Sequence, residues 1–193
     1  AAADSDQIAD NLGAVLYMMP LSIAIAASAR VSYWLGAGDP HRARAVIFMS
    51  FRLVALMAVA LSTILFVVRG EIAQIYARDH AVIALASALL AWVAAYHLAD
   101  AVQTLCVFVL RCYRVTVAPL LVYCVLLWGL GLTGGYVLAY HGIGSINAIP
   151  SPITFWATSA VALALTATIF AAILWTVQRL APSPAPAPRR AAS

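Results

Sequence analysis

Hydrophobic residues along this chain fall into five long blocks that are almost free of charge. The blocks at residues 12–29, 115–140 and 153–178 contain no Asp, Glu, Lys or Arg, and the other two contain one charge each, Arg52 and Asp100. Each block reaches the roughly 18–20 apolar residues that cross about 30 Å of hydrocarbon as a helix. The pattern therefore predicts an all-α, polytopic membrane protein with about five transmembrane helices, at residues 7–34, 45–68, 81–110, 115–140 and 153–178.

Composition excludes a water-soluble alternative. Hydrophobic residues make up 65% of the chain and charged residues only 9%, against about 25% charged in a soluble domain. The three cysteines have no metal-binding spacing and lie in or beside apolar blocks, where small buried hydrophobes are expected. We therefore expect a lipid bilayer around residues 1–180.

The net charge of +4 reflects membrane topology rather than nucleic-acid binding. All eleven basic residues are Arg, and nine of them lie around the first connection, in the third connection or after the last helix. Only Arg69 and Arg78 lie in the second connection. This asymmetry follows the positive-inside rule and predicts that residues 40–44 and Arg189 face the cytoplasm, while Arg78 and Ser145 face outside.

The two ends of the chain are polar. The sequence begins without Met or a signal-peptide pattern, so we expect a piece of a longer polypeptide. Gln7, Asp10 and Asn11 make the start of the first helix polar enough for an interface or a water-filled cavity. Residues 181–193, rich in Pro, Ala and Arg, predict a disordered cytoplasmic tail.

Asp100 is the strongest candidate for function, because it is the acidic side chain placed deep in a hydrophobic block. It lies eleven residues from Arg111, or roughly 16 Å along a helix, which places it near the membrane centre. A carboxylate at that depth costs several kcal/mol unless it is neutralised or faces water, so its presence indicates a function.

Polar residues one turn away extend this candidate site: Tyr96, His97, Gln103 and Thr104 are three or four positions from Asp100. Since burial disfavours the charged form of a carboxyl group, Asp100 could bind and release a proton. Flanked by hydroxyl and amide oxygens, it could equally hold Na⁺. Asp100 could instead be protonated and hydrogen-bonded between helices, and His97 could be structural or take part in proton transfer.

Two sequence blocks resemble the multidrug and toxic compound extrusion (MATE) family, in its NorM-like branch. The residues similar to the eighth helix of that family and its following loop are 7–11 (QIADN), 19–23 (MPLSI), 29–31 (ARV) and 35–39 (LGAGD). Those similar to the tenth helix are 96–103 (YHLADAVQ) and 110–113 (LRCY). The similarity extends to about residue 179.

The resemblance implies helices eight to twelve of a twelve-helix antiporter with two six-helix lobes. Such a protein exports cationic, amphipathic drugs in exchange for Na⁺ or H⁺ across the bacterial inner membrane, and its C-terminus is cytoplasmic. Asp100 and Tyr96 match the cation site of the family, while Gln7 and Asn11 match polar positions of its eighth helix. Besides the drugs and the lipid bilayer, the expected partner is the N-terminal lobe of the same polypeptide. No cofactor is expected beyond the coupling ion.

Some features depart from the family pattern, and other functions stay open. The seventh helix, which brings a Glu to the cation site, is absent, as is the first lobe; His97 and Cys112 stand where other residues are usual. A lipid-linked saccharide flippase of related fold is an alternative, although it would need cationic residues in its cavity. A non-transporting membrane subunit is another. We do not expect an enzyme, because no second catalytic group accompanies Asp100.

Overall fold

The computed structural model of the chain describes residues 2–76, 79–142, 147–148 and 151–180, and within them it contains five helical spans. The predicted all-α bundle of five spans is confirmed. Four of the spans are single α-helices: α1 (Ala2–Gly36), α2 (Pro40–Tyr76), α3 (His80–Cys112) and α6 (Pro152–Leu180). The fourth span (Val117–Tyr140) is one continuous helical stretch that contains the shorter helices α4 (Val117–Tyr123) and α5 (Gly134–Tyr140).

Capping aspartates mark where α2 and α3 begin. Gly38 has a φ of 72°, a left-handed conformation suited to glycine after a helix end. Asp39 then caps α2, because its Oδ1 accepts the backbone N–H of Arg42 at 3.0 Å while its Oδ2 lies 3.3 Å from the Arg42 Nε. At the start of α3, Asp79 accepts the backbone N–H of Ala81 at 2.9 Å.

The fourth span is irregular. It consists of α4 (Val117–Tyr123), a π-helical segment (Cys124–Thr133) and α5 (Gly134–Tyr140). Two of its glycines lie against α6: a Cβ added to Gly131 would be 3.4 Å from the Ala162 Cβ, and one added to Gly135 would be 2.7 Å from the Thr158 Oγ1. These two small residues, four positions apart, therefore let the two helices approach closely.

Helix α3 is the centre of the bundle and packs against α1, α2 and α6. Its residues Leu105, Val109 and Leu110 are fully buried together with Phe170 of α6. On its other side, the Ser62 hydroxyl of α2 donates to the Ala94 carbonyl at 2.8 Å. This central position explains why a polar side chain on α3 reaches a space between helices rather than lipid.

Several Arg-bearing helix ends meet at one end of the bundle, which we call the basic end. The Arg44 guanidinium donates to the Gln178 carbonyl, joining the start of α2 to the end of α6. The end of α3, just beyond Arg111, lies at the same end of the bundle. Its residue Cys112 and the following Tyr113 pack against the same hydrophobic cluster as Val46 of α2 and Val177 of α6. The start of α2, the end of α3 and the end of α6 therefore lie together, and these are segments that the Arg asymmetry places on one side of the membrane. That this side is the cytoplasm stays a prediction. Arg78, Ser145, Arg189 and the tail 181–193 lie outside the described residues.

Candidate functional site

Asp100 lines a cavity of about 530 Å³ between α1, α3, the fourth span and α6, which we call the Asp100 cavity. Tyr96 and Gln103 of α3 line it with Asp100, as the sequence predicts. Asp100 and Tyr96 are half-buried, whereas Gln103 is buried. The volume falls within the roughly 300–1,000 Å³ of typical small-molecule sites.

Helix α1 contributes a continuous stripe to this cavity. The lining residues are Asp10, Gly13, Ala14 and Tyr17, at the spacing i, i+3, i+4 and i+7 that puts side chains on one helical face. Gly13 and Ala14, in the middle of the stripe, are small and leave space in the cavity, and the Asp10 carboxylate and the Tyr17 phenol lie on either side of them. Asp10 thus brings a second carboxyl group to the cavity that contains Asp100.

Aromatic side chains from the later helices complete the wall. Phe155 and Trp156 come from α6, and Tyr123 comes from the end of α4. The Tyr96 and Trp156 rings meet edge to face, with centroids 5.8 Å apart and planes at 77°. Aromatic faces attract cations, so the cavity combines two carboxyl groups with rings that favour a positively charged ligand.

A second cavity of about 380 Å³ continues toward the basic end, and we call it the Arg111 cavity. Tyr17, Gln103 and Tyr123 line both cavities and therefore form the boundary between them. The Thr104 hydroxyl donates to the Gln103 Oε1 at 3.2 Å, which fixes the amide at this boundary. The two spaces outline a route from Asp100 toward Arg111.

His97 does not lie with Asp100 in the Asp100 cavity. Successive helical residues are about 100° apart, so Tyr96 and Gln103 lie roughly 40° and 60° to one side of Asp100. His97 and Thr104 lie about 60° and 40° to the other side. Sequence spacing alone placed all four residues on one face, but the cavity opens on the flank of Tyr96 and Gln103.

The surroundings of His97 are apolar. It is only 3% exposed and lies against Met19 and Pro20 of α1 and Val54 and Met57 of α2. Its Nε2 has no hydrogen-bond partner among the described residues. The imidazole is therefore enclosed where the proline of α1 meets α2, away from the cation-attracting groups.

The remaining predicted residues lie at the edge of the site or beyond it. Thr104 is buried and lines the Arg111 cavity. Gln7 and Asn11 are exposed on α1, and neither lines the Asp100 cavity, whereas Asp10 between them does. Sequence reasoning placed Asp10 at an interface or a water-filled cavity but did not connect it with Asp100, and it missed Tyr17. The seven-residue separation of Asp10 and Tyr17 on α1 was a signal that could have identified both.

This arrangement suits reversible binding of a cation. Within the residues that the structure describes, no three His, Cys, Asp or Glu side chains come together as a metal site. A transported Na⁺ would be bound by the Asp100 carboxylate with neutral oxygens such as those of Gln103 and Tyr96, which line the same cavity. A proton would need the Asp100 carboxyl group alone.

Comparison with known proteins gives consistent matches. Residues 5–137 match the MatE family. The chain is 35% identical over 173 residues to the probable multidrug resistance protein NorM of Aromatoleum aromaticum, covering 90% of this chain and 37% of that protein. It is 33% identical over 180 residues to the multidrug resistance protein MdtK of Proteus mirabilis, covering 92% of this chain and 38% of that protein.

A third relative, the probable multidrug resistance protein NorM of Shewanella oneidensis, is 40% identical over 139 residues, covering 70% of this chain and 30% of that protein. The chain thus spans less than two fifths of the length of these relatives. The family match extends through α1, α2, α3 and most of the fourth span, and so includes the carboxylate-bearing faces of the cavity. This chain therefore belongs to the MatE family and is a NorM-like member of it.

Proposed function

We propose that this chain forms most of the second lobe of a cation-coupled multidrug antiporter in the bacterial inner membrane, a secondary transporter and not an enzyme. The observation that supports this proposal most directly is the Asp100 cavity, where a carboxyl group within an apolar helical span lines an aromatic-walled space of about 530 Å³. The names of the relatives agree with it, since they are multidrug resistance proteins. Cationic amphipathic drugs would be exported in exchange for Na⁺ or H⁺.

In this proposal, Asp100 binds either the coupling cation or the cationic drug. The two ligands compete for one carboxylate, so that binding of the cation releases the drug. A conformational switch follows only if the ligand has different affinity for the two states of the carrier. The Arg111 cavity offers the continuing path toward the basic end, with Gln103 and Tyr123 at the boundary.

The alternatives are less well supported by the charges in the cavity. A flippase for a lipid-linked saccharide would need cationic groups for the pyrophosphate, yet the charged residues of the Asp100 cavity are Asp10 and Asp100. A non-transporting subunit would have no use for two carboxyl groups in a space of this size, and such groups are costly at membrane depth.

The test is Asp100→Asn in the full-length, two-lobed transporter that contains this chain, reconstituted in proteoliposomes. Asn keeps the size and hydrogen bonding of the side chain but cannot carry the charge or the proton. Coupling free energies of about 1–3 kcal/mol correspond to roughly 5–150-fold, so drug efflux against an imposed Na⁺ or H⁺ gradient should fall about tenfold or more. Tyr96→Phe, which removes one hydroxyl from the same cavity, should reduce efflux less.

Asp79→Asn is the matched control. Asp79 caps α3 outside the cavity, and Asn can cap a helix equally well, so this variant should transport at the wild-type rate. Wild-type efflux by Asp100→Asn under both gradients would refute the assignment of Asp100 as the coupling residue. Comparing the Na⁺ and H⁺ gradients in the wild-type protein identifies the coupling ion.

A further inference from the structure

Asp10 provides the Asp100 cavity with a second carboxyl group. It lies on α1, on the stripe that also presents Tyr17 to the cavity. It is exposed, whereas Asp100 is half-buried. Two carboxyl groups on different helices, with different exposure, therefore face one ligand-sized space.

The two carboxyl groups lie at different depths. Tyr17 and Gln103 line both cavities and so mark the end of the Asp100 cavity nearest the Arg111 cavity. Asp100 precedes Gln103 by three residues, or about 5 Å of helical rise. Asp10 precedes Tyr17 by seven residues, or about 10 Å. Helices α1 and α3 run in the same direction, since residues near Ala9 pack with those near Leu90, and Ser28 contacts Cys112.

Each carboxyl group has aromatic neighbours at its own depth. Tyr96 precedes Gln103 by seven residues, so the Tyr96–Trp156 pair lies at about the depth of Asp10. Tyr17 and Tyr123 lie at the other end of the cavity, nearer to Asp100. A carboxylate together with an aromatic face is a favourable environment for an organic cation, and the cavity contains this combination twice.

We propose that Asp10 is a specificity-determining residue which, together with Asp100, recognises the two charges of a dicationic amphiphile lying along the cavity. Carboxyl groups at two depths suit an organic dication with an apolar spacer, whose two charges can each lie near one carboxyl group while the spacer contacts the aromatic wall. A monocation needs only Asp100. This inference rests on the proposed transport function and names its substrate class more narrowly.

The experiment uses the full-length, two-lobed transporter in an efflux-deficient bacterium and in proteoliposomes. The probes are bis(trimethylammonium)alkanes of increasing chain length, each paired with the alkyltrimethylammonium monocation of the same length. Asp10→Asn should weaken competition by the dication roughly two- to fivefold, the range expected for one partly solvated ion pair. Monocation competition should weaken less than dication competition, and the dication effect should be greatest at one spacer length.

Asp79→Asn is again the control, because it removes a carboxylate of α3 that lies outside the cavity. If Asp10→Asn weakens monocations and dications equally, or weakens neither, the inference is wrong. Failure of the wild-type protein to export any monocation would instead refute the proposed transport function. Monocation efflux by Asp10→Asn also verifies that the variant folds, which keeps the two failures distinct.

Discussion

Gly135→Ala tests the close approach of the fourth span and α6. A Cβ at position 135 would lie 2.7 Å from the Thr158 Oγ1 and 3.0 Å from the Phe155 Cδ1. The Thr158 hydroxyl cannot turn away freely, because it lies 3.1 Å from the Gly131 carbonyl and 2.9 Å from the Thr154 carbonyl. Overfilling a packed site costs about 1–3 kcal/mol, while Ala in place of Gly recovers up to about 1 kcal/mol of helix propensity.

The expected net loss for Gly135→Ala is therefore about 1–2 kcal/mol, or roughly 2–8 °C in melting temperature for a chain of this size. Gly131→Ala should be near neutral, since its Cβ would meet the Ala162 Cβ at an ordinary 3.4 Å. Gly129→Ala, which has no other atom within 4 Å, should be neutral or stabilising. The measurement is thermal unfolding of the purified chain in detergent. Equal stability of the three variants would refute the packing argument.

Two further predictions concern the site and the orientation. His97→Leu should keep coupled drug efflux within about twofold of wild type, because His97 is buried among apolar residues away from the Asp100 cavity. The measurement is efflux from proteoliposomes. A loss of coupling comparable with that of Asp100→Asn would contradict this placement of His97. Single cysteines, in a background lacking the native ones, should be labelled from the cytoplasm at position 44 and from outside at position 145, and labelling of position 145 only from the cytoplasm would overturn the topology.

The five spans could be predicted because a membrane helix depends on one local property, a long apolar stretch. The structure contains five long apolar helical spans, and several of its helices extend beyond the ranges that hydropathy gives. Helix α2 begins at Pro40 and continues to Tyr76, whereas hydropathy places its core at residues 45–68. Polar and charged residues near the ends, such as Arg69, continue the helix outside the hydrocarbon, where hydropathy no longer reports it.

The site could be predicted only in part. Asp100 was identifiable because a carboxylate in an apolar block is unusual, and Tyr96 and Gln103 followed from helical spacing. Spacing could not decide which flank of α3 faces the cavity, since residues on both flanks lie within about 60° of Asp100. The packing of α3 against α1, α2 and α6 determines which flank faces the cavity. As a result, His97 lies among apolar residues of α1 and α2 and not in the Asp100 cavity. Tyr123 and Trp156, which come from later helices, carry no such signal.

The exposure of polar residues on α1 bears on the fold of the whole transporter. Gln7, Asp10 and Asn11 are all exposed in this chain, although they lie at the start of a membrane-spanning helix. Lipid is an unfavourable neighbour for an amide or a carboxylate at membrane depth, so this face needs water or protein beside it. Because the chain spans less than two fifths of the length of its relatives, we propose that the face of α1 with Gln7, Asp10 and Asn11 lies against the first lobe. The Asp100 cavity opens beside it through Asp10, so the same interface would hold the drug path.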